Sequence, residues 1–112
     1  MARSNPDFQN GVPELLILRL LVGKEMYGYE LVGAIEQATK DVLAYGEGSV
    51  YPVLHGLEAK KHVRSHKKTV GGRTRTYYRL TPAGEKRLAE LAADFERTVS
   101  AVRLVLGAPN VA

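Results

Sequence analysis

Apolar residues recur at helical spacing in four stretches of the 112-residue chain, and between the third and the fourth they give way to two short polar runs around a glycine pair. Pro13 suits the opening position of a helix, and the run Leu15-Leu16-Ile17-Leu18 continues through Leu20-Leu21-Val22 to a stop at Gly23. Only Glu14 and Arg19 interrupt its apolar surface, so this helix must be covered on several sides, by its own domain or by a second subunit. Tyr27-Gly28-Tyr29 opens a second helix, with Leu31 and Ile35 inward, Glu30 and Glu36 outward, and an end near Thr39-Lys40-Asp41. A connector over 41–46 leads to a third helix that starts between Glu47 and Ser49, capped by Gly46 or Ser49, and runs to about Lys61. Pro52 fits it only near the first turn. The fourth helix has the clearest start: Thr81 caps, Pro82 takes the first position, and Glu85 favours the positive end of the dipole.

That last helix runs to about Leu106 before Gly107, with Leu88, Leu91 or Ala92, Phe95, Val99, Val102 and Leu106 spaced by threes and fours. So long a stripe exceeds what a small domain can cover. The spacing therefore predicts a homodimer interface of Leu15, Leu18, Leu88, Leu91, Phe95, Val99, Val102 and Leu106, in preference to packing back across its own domain.

The polar runs read as a hairpin, His62 to Lys68 and Thr74 to Leu80, turning at Gly71-Gly72 where positive φ is easiest. Val63, Tyr77, Tyr78 and Leu80 anchor its base. Alternation puts one of the two tyrosines inward and the other outward, and the tip Arg73-Thr74-Arg75 has nothing to bury. Between Ala59 and Leu80 lie Lys60, Lys61, Arg64, Lys67, Lys68, Arg73, Arg75 and Arg79 with no acidic residue. The other eight basic residues face all twelve acidic ones, so this segment carries +8 and the rest −4. Charge concentrated in that way points to an anionic partner. A basic hairpin alone is more often a solvated one; the helix before it reverses that reading.

On that third helix Val50, Leu54 and Leu57 share one side, while Pro52, His55 and Ala59 lie opposite, flanked by Gly48, Ser49, Tyr51 and Gly56. An outward face so small and uncharged suits close approach to another surface. The order of elements predicts an α+β, mainly helical chain: a winged helix-turn-helix with a long C-terminal dimerisation helix. The expected division is a flexible arm at 1–12, a DNA-binding domain at 13–81, the dimerisation helix at 82–106 and a tail at 107–112.

Composition removes other classes. There is no cysteine for disulfide or thiolate chemistry, and no apolar run of the ~18 residues a membrane span needs. The N-terminus lacks the apolar core of a signal peptide, so the expectation is a cytoplasmic protein without membrane partners. Neither a catalytic triad spacing nor a phosphate-cradling glycine loop is present, which argues against an enzyme and against a cofactor. His55, His62 and His66 fall within residues 46–80, but helical and strand placement points them apart, so no metal site is expected.

Pro13-Glu14-Leu15-Leu16-Ile17-Leu18, Tyr27-Gly28-Tyr29-Glu30-Leu31, Gly48-Ser49-Val50-Tyr51-Pro52-Val53-Leu54 and Tyr77-Tyr78-Arg79-Leu80-Thr81-Pro82-Ala83-Gly84 together resemble the PadR family of bacterial transcriptional regulators, over roughly residues 12–100. Gly46-Glu47 replaces a common Ser-Pro of that family, and Ser49-Val50 its usual Thr-Leu. The resemblance implies a dimeric repressor that binds a partly palindromic operator in double-stranded DNA and is released by an effector. It makes Ser49, Tyr51 and Pro52 groove-facing residues, with His55 added by helical phase; Tyr51 fits a packed aromatic equally well. Lys60, Lys61, Arg64, Lys67 and Lys68 are expected on phosphates, and Arg73, Thr74 and Arg75 at the wing. Tyr29, like Tyr27, either touches phosphate or packs. By analogy, a small aromatic effector would enter near Leu15, Arg19, Phe95 and Val99. The competing function is a protein-docking winged helix that reads no DNA sequence.

Overall fold

The computed structural model describes residues 8–107. Its elements are α1 (Phe8–Leu20), β1 (Met26–Tyr27), α2 (Gly28–Ala38), α3 (Glu47–Ala59), β2 (Val63–Val70), β3 (Arg73–Leu80) and α4 (Pro82–Leu106). The three strands form one antiparallel sheet in the order β1-β3-β2. This is the winged-helix arrangement expected from the order of elements.

One core joins the helices to the base of the sheet. Ile17 and Leu18 of α1 and Leu21 just after it meet Leu31 and Ile35 of α2, Val50, Leu54 and Leu57 of α3, and Met26, Val63, Tyr78 and Leu91. Each three- or four-residue spacing in the helices thus becomes one inward stripe. Both α2 and α3 end in the same way. Lys40 and Lys61 take positive φ at 52° and 65°, letting Asp41 N–H reach Glu36 O and His62 N–H reach Leu57 O, both at 2.8 Å.

At the start of α4, Thr81 Oγ1 accepts from Gly84 N–H at 3.0 Å, with Pro82 in the first turn. The same hydroxyl donates to Lys61 O at 2.7 Å, which seats α4 on the α3–β2 corner. Further along, Arg87 Nε donates to Glu14 Oε2 at 3.0 Å and fastens α4 to α1.

Five expectations need correction. Residues 8–12 are helical and not a loose arm, so Pro13 lies inside α1; its missing N–H falls in the second turn. Pro52 likewise sits in the second turn of α3. The wing strands run on to Val70 and Arg73, because Gly71 and Gly72 both take positive φ, 59° and 78°, and make a two-residue turn. Leu18 and Leu91, expected at a dimer interface, belong to the chain's own core at 0% and 7% exposure, where α1 and α4 pack on each other. Tyr77 and Tyr78 are both buried: Tyr78 faces the core, and the Tyr27 ring covers Tyr77 edge-on at a centroid distance of 5.4 Å. The expected arm at 1–7 and the tail beyond Gly107 lie outside the described residues.

Candidate nucleic-acid interface

The exposed face of α3 begins at its first turn. Gly46 brings no side chain to the cap, and its carbonyl accepts from Ser49 and Val50 N–H at 3.0 Å each. Glu47, Gly48, Ser49, Pro52, His55 and Gly56 are exposed, while Val50, Leu54 and Leu57 are buried beneath them. Ser49, Pro52 and His55 therefore share the outer side, as the helical phase predicts.

Tyr51 packs against α2, and its ring also borders a cleft. Its ring lies against Gly28 so closely that a Cβ there would sit 2.7 Å from Tyr51 Oη and nearer still to the ring carbons. The same ring is 6.2 Å from that of His55 and forms part of a cleft wall. Glycine at the first position of α2 is thus what allows an α3 tyrosine to reach across α2.

That cleft is lined by Tyr27, Tyr29, Tyr51, Arg73, Thr74, Arg75 and Thr76. It brings together the start of α2, the first half of α3 and the tip half of β3. The two residues of β1 pair only with Tyr78 and Tyr77, so the next stretch of β3 has no strand neighbour on that side. Backbone polar groups along a free edge remain available to a ligand. Tyr29 is 64% exposed, and the Arg75 guanidinium stacks over the Tyr27 ring at 4.4 Å. Thr74 and Thr69 share a hydroxyl hydrogen bond of 2.7 Å across the wing.

Opposite residues of an antiparallel pair point to the same face. The outer face of the wing therefore carries Arg64 against Arg79, His66 against Tyr77 and Lys68 against Arg75. Glu25, just before β1, accepts from Lys68 Nζ, and its other carboxylate oxygen lies 3.1 Å from His66 Nε2. Lys68 Nζ also lies 4.8 Å from the Tyr77 ring centre, and the His66 ring stacks on Tyr77 at 6.2 Å. The hydrogen bond from Lys68 holds the Glu25 carboxyl below its ordinary range, and the same bond raises the lysine. Lys68, expected on a phosphate, pairs with Glu25 within the chain and keeps 45% of its side chain exposed.

The remaining cations stand apart from the cleft. Lys61 and Arg64 border a shallow depression with Glu58, Val63, Ser65 and Thr81. Lys60 lines another with Glu14, Val53, Gly56 and Leu57, and Lys67 is exposed on the wing. Of the residues expected at an effector site, Leu15, Phe95 and Val99 are half-buried and Arg19 is exposed, on the two helices that pack together. Leu88 is half-buried, while Val102 and Leu106 are 49% and 78% exposed. Among the described residues no helix is long and apolar enough to cross a membrane.

Residues 17–90 match the PadR-like transcriptional regulator family. The chain belongs to that family. A transcriptional regulator of Mycobacterium tuberculosis is 34% identical to this PadR-like chain over 84 residues, covering 75% of it and 76% of the relative. A transcriptional regulator from Clostridium thermocellum superposes with a TM-score of 0.83 at 27% identity, over 92% of this chain and 98% of the other. Bacillus subtilis PadR, solved in complex with operator DNA, shares the fold at a TM-score of 0.64 and 22% identity, over 70% of this chain and 46% of that one.

Glu25 escaped the reading of the PadR-like sequence. It stands 43 residues from Lys68, and no local spacing links the two. Tyr27 and Thr76 join the cleft because β1 lies beside β3, a pairing too short to leave a pattern.

Proposed function

We propose that this PadR-like regulator binds double-stranded operator DNA as a homodimer and acts as a repressor. Ser49, Pro52 and His55 of α3 enter the major groove, and Arg73, Thr74 and Arg75 of the wing reach the neighbouring groove. Tyr29 and Tyr51 meet the backbone between them, with Lys60, Lys61, Arg64 and Lys67 on flanking phosphates. The supporting observation is that Tyr29, Tyr51, Arg73, Thr74 and Arg75, drawn from α2, α3 and the wing, line one cleft. In this reading residues 13–81 form the DNA-binding unit and 82–106 the dimerisation helix, and two copies pair through Leu15 of α1 and Leu88, Phe95, Val99, Val102 and Leu106 of α4. Release by a small aromatic effector near Leu15, Arg19, Phe95 and Val99, and action in the cytoplasm where operators lie, belong to the same proposal.

The test is fluorescence anisotropy against a DNA library across a salt series, with Arg73→Ala/Arg75→Ala as the variant. Selection of a two-fold-symmetric site is expected. Loss of two groove-bound cations that displace counterions should flatten the log–log salt slope by about 1.8. Weak, sequence-blind binding untouched by the double substitution would leave a protein-docking winged helix as the better reading.

A further inference from the structure

Beyond its base the wing has few fastenings. β3 pairs with β1 only at Tyr77 and Tyr78, and the strands then run on to Val70 and Arg73 with no third strand beside them. Its outer face also opposes Lys68 to Arg75 and Arg64 to Arg79, like charges on directly facing positions, which repel. One carboxylate answers both problems. Glu25 accepts from Lys68 Nζ and lies 3.1 Å from His66 Nε2, two alternate residues of β2, while its own backbone leads into β1 and the start of α2. Around this bridge the aromatic contacts run in the same direction: Tyr27 on the body side meets Tyr77 and Arg75 on the wing side.

We infer that Glu25 is a positioning residue for the wing: it ties β2 to the segment that opens α2, and so sets how Arg73 and Arg75 stand against Tyr29 and Tyr51. The inference rests on the DNA-binding reading above for its consequence, but not for its geometry. An isolated exposed ion pair contributes little. This one joins a set of contacts with a shared geometrical effect.

The sign of the outcome separates the inference from the simpler alternative. Glu25→Gln removes a negative charge next to a surface meant for phosphate and frees Lys68. Were Glu25 an ordinary surface carboxylate, affinity for DNA would rise and the salt slope would steepen by about one contact. A positioning role predicts the reverse: about a two- to fivefold loss of affinity despite the added positive charge. The slope should flatten, and Arg73→Ala/Arg75→Ala should produce a smaller further loss in the Glu25→Gln background than in the wild type.

The experiment pairs those titrations with amide hydrogen exchange on the whole chain without DNA. Faster exchange of the wing amides around 66–68 and 74–76 in Glu25→Gln, with α2 and α3 unchanged, is expected together with the loss of affinity. Unchanged wing exchange, or affinity equal to or above wild type, would overturn the inference. If the wild type itself binds no DNA the functional reading fails, and the exchange data still decide whether Glu25 holds the wing.

Discussion

Replacing Gly84 by alanine should destabilise this protein, although alanine is the better helix former by about 1 kcal/mol. Gly84 is buried in the first turn of α4, where the helix comes down on the α3–β2 corner. A Cβ there would lie 2.7 Å from Leu80 Cδ1, 3.0 Å from the His62 carbonyl carbon, and closer still to the His62 oxygen. Leu80 can rotate away. The His62 carbonyl cannot, because it is backbone and accepts the Thr81 N–H at 3.1 Å. Relief therefore requires α4 to lift, which breaks that bond and strains the Thr81 cap. Overpacking of this kind costs about 1–3 kcal/mol and a lost cap about 1 kcal/mol. Set against the gain in propensity, the net is a loss of about 1–3 kcal/mol. At 4–8 °C per kcal/mol for a domain near this size, Tm should fall by roughly 5–20 °C.

Gly33→Ala is the matched control. Gly33 is exposed within α2, and a Cβ there would meet nothing within 4 Å, so propensity acts alone and Tm should rise by a few degrees. Circular-dichroism melts at one fixed protein concentration compare the three proteins, since any dimer ties Tm to concentration. Gly84→Ala melting at or above wild type would refute the claim that a close approach of backbone, and not helix propensity, governs this position.

Three other outcomes follow from positions already described. Gly28→Ala should push the Tyr51 ring out of its seat and weaken DNA binding several-fold in anisotropy, with only a small change in Tm because the obstacle is a half-buried side chain. Lys61→Gly should stabilise the fold by about 1 kcal/mol in chemical denaturation, because the lysine holds a φ of 65° that glycine adopts freely, and should flatten the DNA salt slope by about 0.9 if Lys61 meets a phosphate. Val102→Glu with Leu106→Glu should give a folded monomer at micromolar concentration in sedimentation velocity, since both side chains are exposed in the single chain and charge is disfavoured in an apolar dimer seam.

The sequence conveyed which faces are covered more readily than which atoms cover them. Helix boundaries were legible where a side chain states them: Thr81 does cap α4 and Pro82 does follow it. Proline alone was less informative, because the ring marks a favourable first position but does not forbid the second turn, where Pro13 and Pro52 both lie. The exposed face of α3 was legible because Ser49, Pro52 and His55 share one side of a single helix, a matter of local phase. The wing turn was legible for an equally local reason, the paired positive φ of Gly71 and Gly72. Where two distant segments meet, the same patterns misled. Alternation made one of Tyr77 and Tyr78 exposed, yet a two-residue strand too short to show a period brings Tyr27 over the outer one. The stripe on α4 indicated burial correctly at Leu91, but the chain's own α1 covers it. Counting charge treated Lys68 as one cation among eight, and Glu25, remote in sequence, takes it up. At Tyr77, Leu91 and Lys68, then, the identity of the covering residue decides between core, interface and DNA contact, and periodicity carries no information about it.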